Sequence, residues 1–104
     1  MLTKNFNTWS PAIDLQETKT ELVLKVEIPG VRTQELQVHV DSEAVIIKGE
    51  HAERYDQEND DYFCHELHYG KFERIIPLPM AVCYKKSIAE LIDGILTITM
   101  PKVC

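Results

Sequence analysis

From Glu21 the chain alternates with a period of two. Leu22, Leu24, Val26 and Ile28 stand on one parity, Val23, Lys25 and Glu27 on the other, and Pro29-Gly30 ends the run. This pattern predicts a half-buried β-strand closed by a turn. Leu36, Val38 and Val40 alternate with Gln37, His39 and Asp41 and predict a second strand. Ala44 to Lys48, after the turn signal Asp41-Ser42, is a short and almost wholly apolar strand. Ile13 and Leu15 alternate with Asp14 and Gln16, and Phe72 to Leu78 is an apolar run closed by Pro77 and Pro79. Ser87 to Ile92 and Ile95 to Met100 flank Asp93-Gly94, the strongest hairpin signal in the chain. Thr33-Gln34-Glu35 has room for one helical turn, and no apolar stripe of helical length occurs. Seven to eight short strands predict an all-β sandwich or barrel. A sandwich leaves edge strands whose unpaired backbone groups are templates for another chain.

One stretch breaks the alternation. Glu50 to Asp61 is polar and mostly acidic, and it precedes the apolar, β-prone Tyr62, Phe63 and Cys64. A charge run of this kind reads as a solvated loop. It reads equally as a polar arm carrying a short strand to the sheet edge of another subunit, since long structureless loops are uncommon in compact domains.

Composition bounds the function. The 104 residues fit one domain. With 11 Lys+Arg against 17 Asp+Glu the net charge is −6, which disfavours nucleic acid and anionic membranes as partners. An apolar content of 44% excludes a disordered or collagen-like chain. There is no apolar run of the roughly 18 residues that a membrane span needs. Met1 to Trp9 has no apolar signal core, so a cytoplasmic protein is expected. The three cysteines, Cys64, Cys83 and Cys104, are odd in number and far apart without a CxxC, which predicts reduced thiols rather than a disulfide framework or zinc ribbon.

Catalytic chemistry is poorly provided for. None of the three serines, Ser10, Ser42 and Ser87, sits in G-x-S-x-G. Cys64 and His65 are adjacent, and on a strand adjacent side chains point to opposite faces. Cys64, His65 and His68, with His51 nearby, are metal-ligand types. On one strand Cys64 and His68 would lie about 13 Å apart at roughly 3.3 Å per residue, too far for one tetrahedral ion, although a site shared across a dimer stays open. No cofactor, metal or enzymatic activity is expected.

Several stretches in order resemble one family. They are Trp9-Ser10-Pro11 with Ala12-Ile13-Asp14, Val26-Glu27-Ile28-Pro29-Gly30-Val31, Ile47-Lys48-Gly49-Glu50, Glu66-Leu67-His68-Tyr69-Gly70-Lys71-Phe72-Glu73-Arg74, Leu78-Pro79, and Ala89-Glu90-Leu91-Ile92-Asp93-Gly94-Ile95-Leu96 with Pro101-Lys102. Together they resemble the α-crystallin domain of the small heat-shock proteins, of the bacterial and plant type. The resemblance implies an immunoglobulin-like β-sandwich of antiparallel strands with a long strand-bearing loop. It also implies an ATP-independent holdase that binds partly unfolded client proteins and prevents their aggregation.

By the same resemblance, the 50–66 loop strand pairs with an edge strand of a partner to form a homodimer. The expected interface is Tyr62, Phe63, Cys64, Glu66 and Arg74, with Ile13 and Leu15 on the receiving edge. Cys64 departs from the family, which usually carries a basic residue there. Arg74 reads as an ion-pair partner across the dimer or as a solvated arginine. Leu36, Val38, Val40 and Ile88 are expected to line the groove that accepts the I-x-I tail of a neighbour, or else to be ordinary core.

The expected organisation is a residual N-terminal arm at 1–8, the domain at 9–102 and a truncated C-terminal tail at 103–104. No I-x-I follows the final strand. A dimer is therefore expected for this chain and a higher oligomer for a full-length parent. The alternative is a co-chaperone module of the p23 type, which shares the sandwich but lacks the long loop and the A-x-x-x-D-G-I-L signature.

Overall fold

The computed structural model describes residues 8–51 and 70–104. Among them eight strands form two four-stranded sheets. The strands are β1 (Thr8–Trp9), β2 (Ile13–Glu17), β3 (Glu21–Glu27), β4 (Leu36–Val40), β5 (Ala44–His51), β6 (Gly70–Pro77), β7 (Ile88–Ile92) and β8 (Ile95–Pro101). One sheet runs β1-β6-β5-β4 and the other β2-β3-β8-β7. The all-β sandwich expected from the alternation is thus the fold observed. The pairings are antiparallel except for the two-residue β1, which lies parallel to β6 with Trp9 opposite Phe72.

The alternation becomes a core because paired strands point matching residues to one side. In β3 and β8, Leu22 opposes Met100, Leu24 opposes Ile98 and Val26 opposes Leu96. All six are buried. The other sheet answers with Val45 opposite Ile76, and with Ile47 and Phe72, in the same cluster. Each fully buried aliphatic side chain contributes about 1.5–3 kcal/mol.

The turns follow the local chemistry. Asp93 (φ 53) and Gly94 (φ 81) form the two-residue loop between β7 and β8, with positive φ at both positions, as a primed hairpin turn requires. Thr33–Glu35 is a single 3₁₀ turn leading into β4, and the Glu35 carboxylate accepts from the Arg32 N–H at 3.0 Å. A second 3₁₀ turn, Tyr84–Lys86, precedes β7 and carries no signal in the alternation. The chain changes sheets three times among the described residues, from β1 to β2, from β3 to β4 and from β6 to β7. The last crossover is sewn to the β4–β5 turn by Leu78 N–H to Glu43 C=O (2.8 Å) and Val82 N–H to Ser42 C=O (2.9 Å).

Gly49 meets a requirement of packing. It opposes Phe72 across β5 and β6. A Cβ at this position would lie 2.6 Å from the Phe72 ring and 2.8 Å from the Glu35 carbonyl oxygen. The Phe72 ring in turn lies 5.0 Å from that of Trp9, at a tilt of 49°.

The cysteines correct the expectation of reduced thiols. Cys83 and Cys104 form a disulfide, with their Cα atoms 5.1 Å apart. The two lie 21 residues apart, and no local spacing announces the pair. They meet because Cys83 N–H donates to the Pro101 carbonyl (2.7 Å), which lays the end of the crossover beside the end of β8. Cys64 lies outside the described residues.

Two outcomes are expected in urea unfolding. Gly49→Ala lowers the midpoint by an amount equivalent to about 1–3 kcal/mol, because the added methyl overpacks a filled site. Removing the disulfide costs about 3 kcal/mol, the value for closing a loop of this length.

Candidate interaction surfaces

Two regions of the sandwich are open in ways that matter for partners. On one side the sheets end in β4 and β7, each paired with a single described neighbour. Leu36, Val38 and Val40 lie opposite Gly49, Ile47 and Val45. They therefore take the core-facing parity, and they are only partly buried against the core. They stand on an edge strand and pack partly on the core.

Ile88 differs from its expected place. It opposes Thr99, on the outer parity of β8, and is 62% exposed. The inward positions of β7 are Ala89 and Leu91, opposite Ile98 and Leu96. Leu91 packs on the core, whereas Ala89 remains exposed. Ile88-Ala89-Glu90-Leu91-Ile92 carries apolar residues on both parities, so alternation could not choose a face. The two-residue hairpin chose it, by pairing Ile92 with Ile95. Ile88 and Ile92, 62% and 60% exposed, stand on the outer face.

On the other side of the sandwich, β2 pairs with β3 alone among the described strands. Ile13 is half-buried against the core and Leu15 is 37% exposed, and both lie on the core parity opposite Val26 and Leu24. The remainder of β2 is exposed. A strand with one free edge and an apolar row that the core covers incompletely has the form of an acceptor for another strand. Tyr62, Phe63, Cys64 and Glu66, expected at an interface, lie outside the described residues, as do the metal-ligand types His65 and His68.

Arg74 has a role that neither sequence reading supplied. It stands on the inward parity of β6, between the buried Phe72 and Ile76, and is itself half-buried. Its guanidinium Nη1 donates to the Pro11 carbonyl at 2.7 Å. Pro11 is fully buried in the segment that carries the chain from β1 in one sheet to β2 in the other. Arg74 thus fastens the segment leading into β2 to the opposite sheet. The motifs around Trp9 and around Arg74 meet here: Trp9 stacks near Phe72, and two residues on, Pro11 is gripped by Arg74.

Pro29-Gly30 and Asp93-Gly94 make a comparable joint. Ile28 N–H donates to the Gly94 carbonyl at 2.8 Å, and a Cβ on Gly94 would come within 3.0 Å of the Pro29 Cα.

An eight-stranded sandwich whose widely separated motifs lock together in this way is an α-crystallin-type domain. The family model described as Hsp20/alpha crystallin family matches residues 14–104, and the chain belongs to that family. Small heat shock protein C2 of Rickettsia felis is 35% identical over 92 residues, covering 88% of this chain and 60% of that protein. Heat shock protein 16 of Schizosaccharomyces pombe is 35% identical over 96 residues, covering 90% of this chain and 67% of the relative. Among solved structures, heat shock protein 16.0 from Schizosaccharomyces pombe superposes with a TM-score of 0.84 at 33% identity, over 90% of this chain and 87% of that one. A small heat-shock protein from Xylella fastidiosa superposes with a TM-score of 0.81 at 28% identity, over 92% and 88% of the two chains. The chain spans only about three-fifths of the length of the Rickettsia relative.

Removing the Arg74 clasp should be costly. Arg74→Ala is expected to lower stability by about 1.5–3 kcal/mol, the range for a hydrogen bond from a charged donor. Arg74→Lys should restore part of this loss, since it keeps the charge but not the planar fork. Thermal denaturation followed by circular dichroism measures both.

Proposed function

We propose that this chain is the central domain of an ATP-independent holdase, which binds partly unfolded proteins and keeps them from aggregating. The observation that carries the reading is the β4–β7 side of the sandwich. There Leu36, Val38 and Val40 on one sheet and Leu91 on the other are packed on the core yet incompletely covered. A holdase needs apolar surface that is accessible without being a large exposed patch, and a groove between two edge strands meets both conditions. Extended segments with alternating apolar side chains suit such a site, because edge backbone groups supply hydrogen bonds and pockets take alternate residues. The net charge of −6 favours solubility of the loaded protein by self-repulsion. The reading assigns no catalytic step, metal or cofactor.

Dimerisation is part of the proposal. The 50–66 segment, with Tyr62, Phe63, Cys64 and Glu66, would lay its strand on the β2 edge of a partner beside Ile13 and Leu15. Support comes from family membership and from the free edge of β2. Domain limits of 9–102, higher assembly in a longer parent chain and a cytoplasmic location belong to the same reading.

The test is suppression of thermal aggregation of a heat-labile model enzyme without nucleotide, read by light scattering. A longer parent chain should suppress it, and Leu91→Asp should remove most of the effect while circular dichroism shows the sandwich intact. Failure of the parent chain to protect the client overturns the reading. Deleting residues 56–64 should convert dimers to monomers in sedimentation. A deletion variant that stays dimeric rejects strand exchange.

A further inference from the structure

The disulfide does more than join two segments of the chain. Cys83 ends the crossover from the β6 sheet, and the Tyr84–Lys86 turn and β7 follow directly. Cys104 lies just beyond β8. The bond between them closes a ring that holds the turn, the edge strand β7, the Asp93-Gly94 hairpin and β8. β8 is paired on both sides, with β3 and with β7, while β7 is paired with β8 alone among the described strands.

The N-terminal end of β7 is preceded by a short turn that is joined to β8 at Cys83. Lys86 N–H donates to the Cys83 carbonyl at 3.2 Å, and the Ser87 hydroxyl donates to the Tyr84 carbonyl at 2.6 Å. Both bonds lie inside the turn and would move with it. Cys83 N–H to the Pro101 carbonyl (2.7 Å) ties the turn to β8, and the disulfide is the covalent part of that same tie. The two residues differ in access, since Cys83 is 3% exposed whereas Cys104 is an exposed residue.

We propose that Cys83–Cys104 is a thiol-controlled latch on the β7 edge strand. Oxidised, it holds the 83–92 segment to the sandwich. Reduced, it lets that segment open locally while the two-sheet core stays closed. The reductant is a dithiol. One of its thiolates attacks the sulfur of Cys104, the more exposed residue of the pair, the S–S bond breaks, and the electron pair leaves on the Cys83 sulfur, which takes a proton. The second thiolate of the reductant attacks its own sulfur in the mixed disulfide and releases the Cys104 thiolate, which is protonated in turn. Two electrons and two protons pass to the protein, and the reductant leaves as a disulfide. Exchange with an oxidised dithiol carrier reverses each step. In a reducing compartment a disulfide is characteristically transient or redox-sensing rather than permanent. This bond closes a segment bearing an edge strand, and such low-stability elements are those that moving parts are drawn from.

Amide hydrogen exchange on the full chain tests the latch. The protein carries Cys64→Ser so that the third thiol takes no part, and it is compared before and after reduction with dithiothreitol. Reduction lowers global stability, so core amides at Leu22–Val26 and Val45–Ile47 accelerate too. The latch requires amides of residues 83–92 to accelerate about tenfold more than those core amides, the mark of a separate local opening. The same background with Cys104→Ser should match the reduced profile and ignore dithiothreitol. Equal acceleration of both groups, no acceleration of the 83–92 amides, or an oxidised-like profile for Cys104→Ser each overturns the proposal. None of these readouts depends on client binding.

Discussion

The structure depends on one parity. In β3 and β8 the positions 22, 24, 26 and 96, 98, 100 must point to the same side, because their six apolar side chains form the centre of the core. Slipping β3 by one residue would turn Lys25 and Glu27 inward and expose Leu22, Leu24 and Val26 to water. The cost of burying unpaired charge makes the register effectively single-valued. From it follow the outward turn of Ile88 and Ile92, the inward turn of Leu91, and the half-covered row of Ile13 and Leu15 on β2.

Around this centre a few close contacts add to the core that both sheets share. Phe72 covers Gly49 and stacks near Trp9, Arg74 grips the Pro11 carbonyl, and Gly94 sits against Pro29. Each joint brings together residues from stretches far apart in the chain. The ion pair between Lys102 and Glu17 (2.7 Å) and the bond from Lys102 N–H to the Thr20 carbonyl (2.9 Å) add a weaker seam at the end of β8. An exposed pair of this kind contributes at most about 1 kcal/mol. Rigidity is thus concentrated in the middle of the sandwich and at the β1–β2 junction. The β4 and β7 edges each have a single neighbour among the described strands.

That distribution connects fold to function. A protein that holds others by exposed apolar surface must limit that surface, or it will bind its own copies. Here the apolar residues at the β4 and β7 edges are half-packed on the core, so they are available in part without forming a free patch. The disulfide lies at the base of one of these edges, where covalent closure bears directly on how firmly the edge strand is held.

The strands, the Asp93-Gly94 hairpin, the Thr33–Glu35 turn and the sandwich class were legible in the sequence, because alternation and turn chemistry are local properties that short segments carry unaided. The family was legible for a related reason: its motifs are the residues that the close joints demand, a glycine where a ring or a proline backbone comes too near for a Cβ. Three features were not legible. The face of Ile88 was ambiguous because β7 has apolar residues on both parities, and only hairpin register resolves that. The partner of Arg74 was hidden because Pro11 is 63 residues away and offers a backbone carbonyl, which sequence does not distinguish from any other. The pairing of Cys83 with Cys104 was hidden because a disulfide depends on where two separate segments meet in space. The sequence by itself determined what each segment would be. Tertiary structure decided which segments would touch, since contacts between distant residues are set by how the two sheets stack and not by any pattern within either.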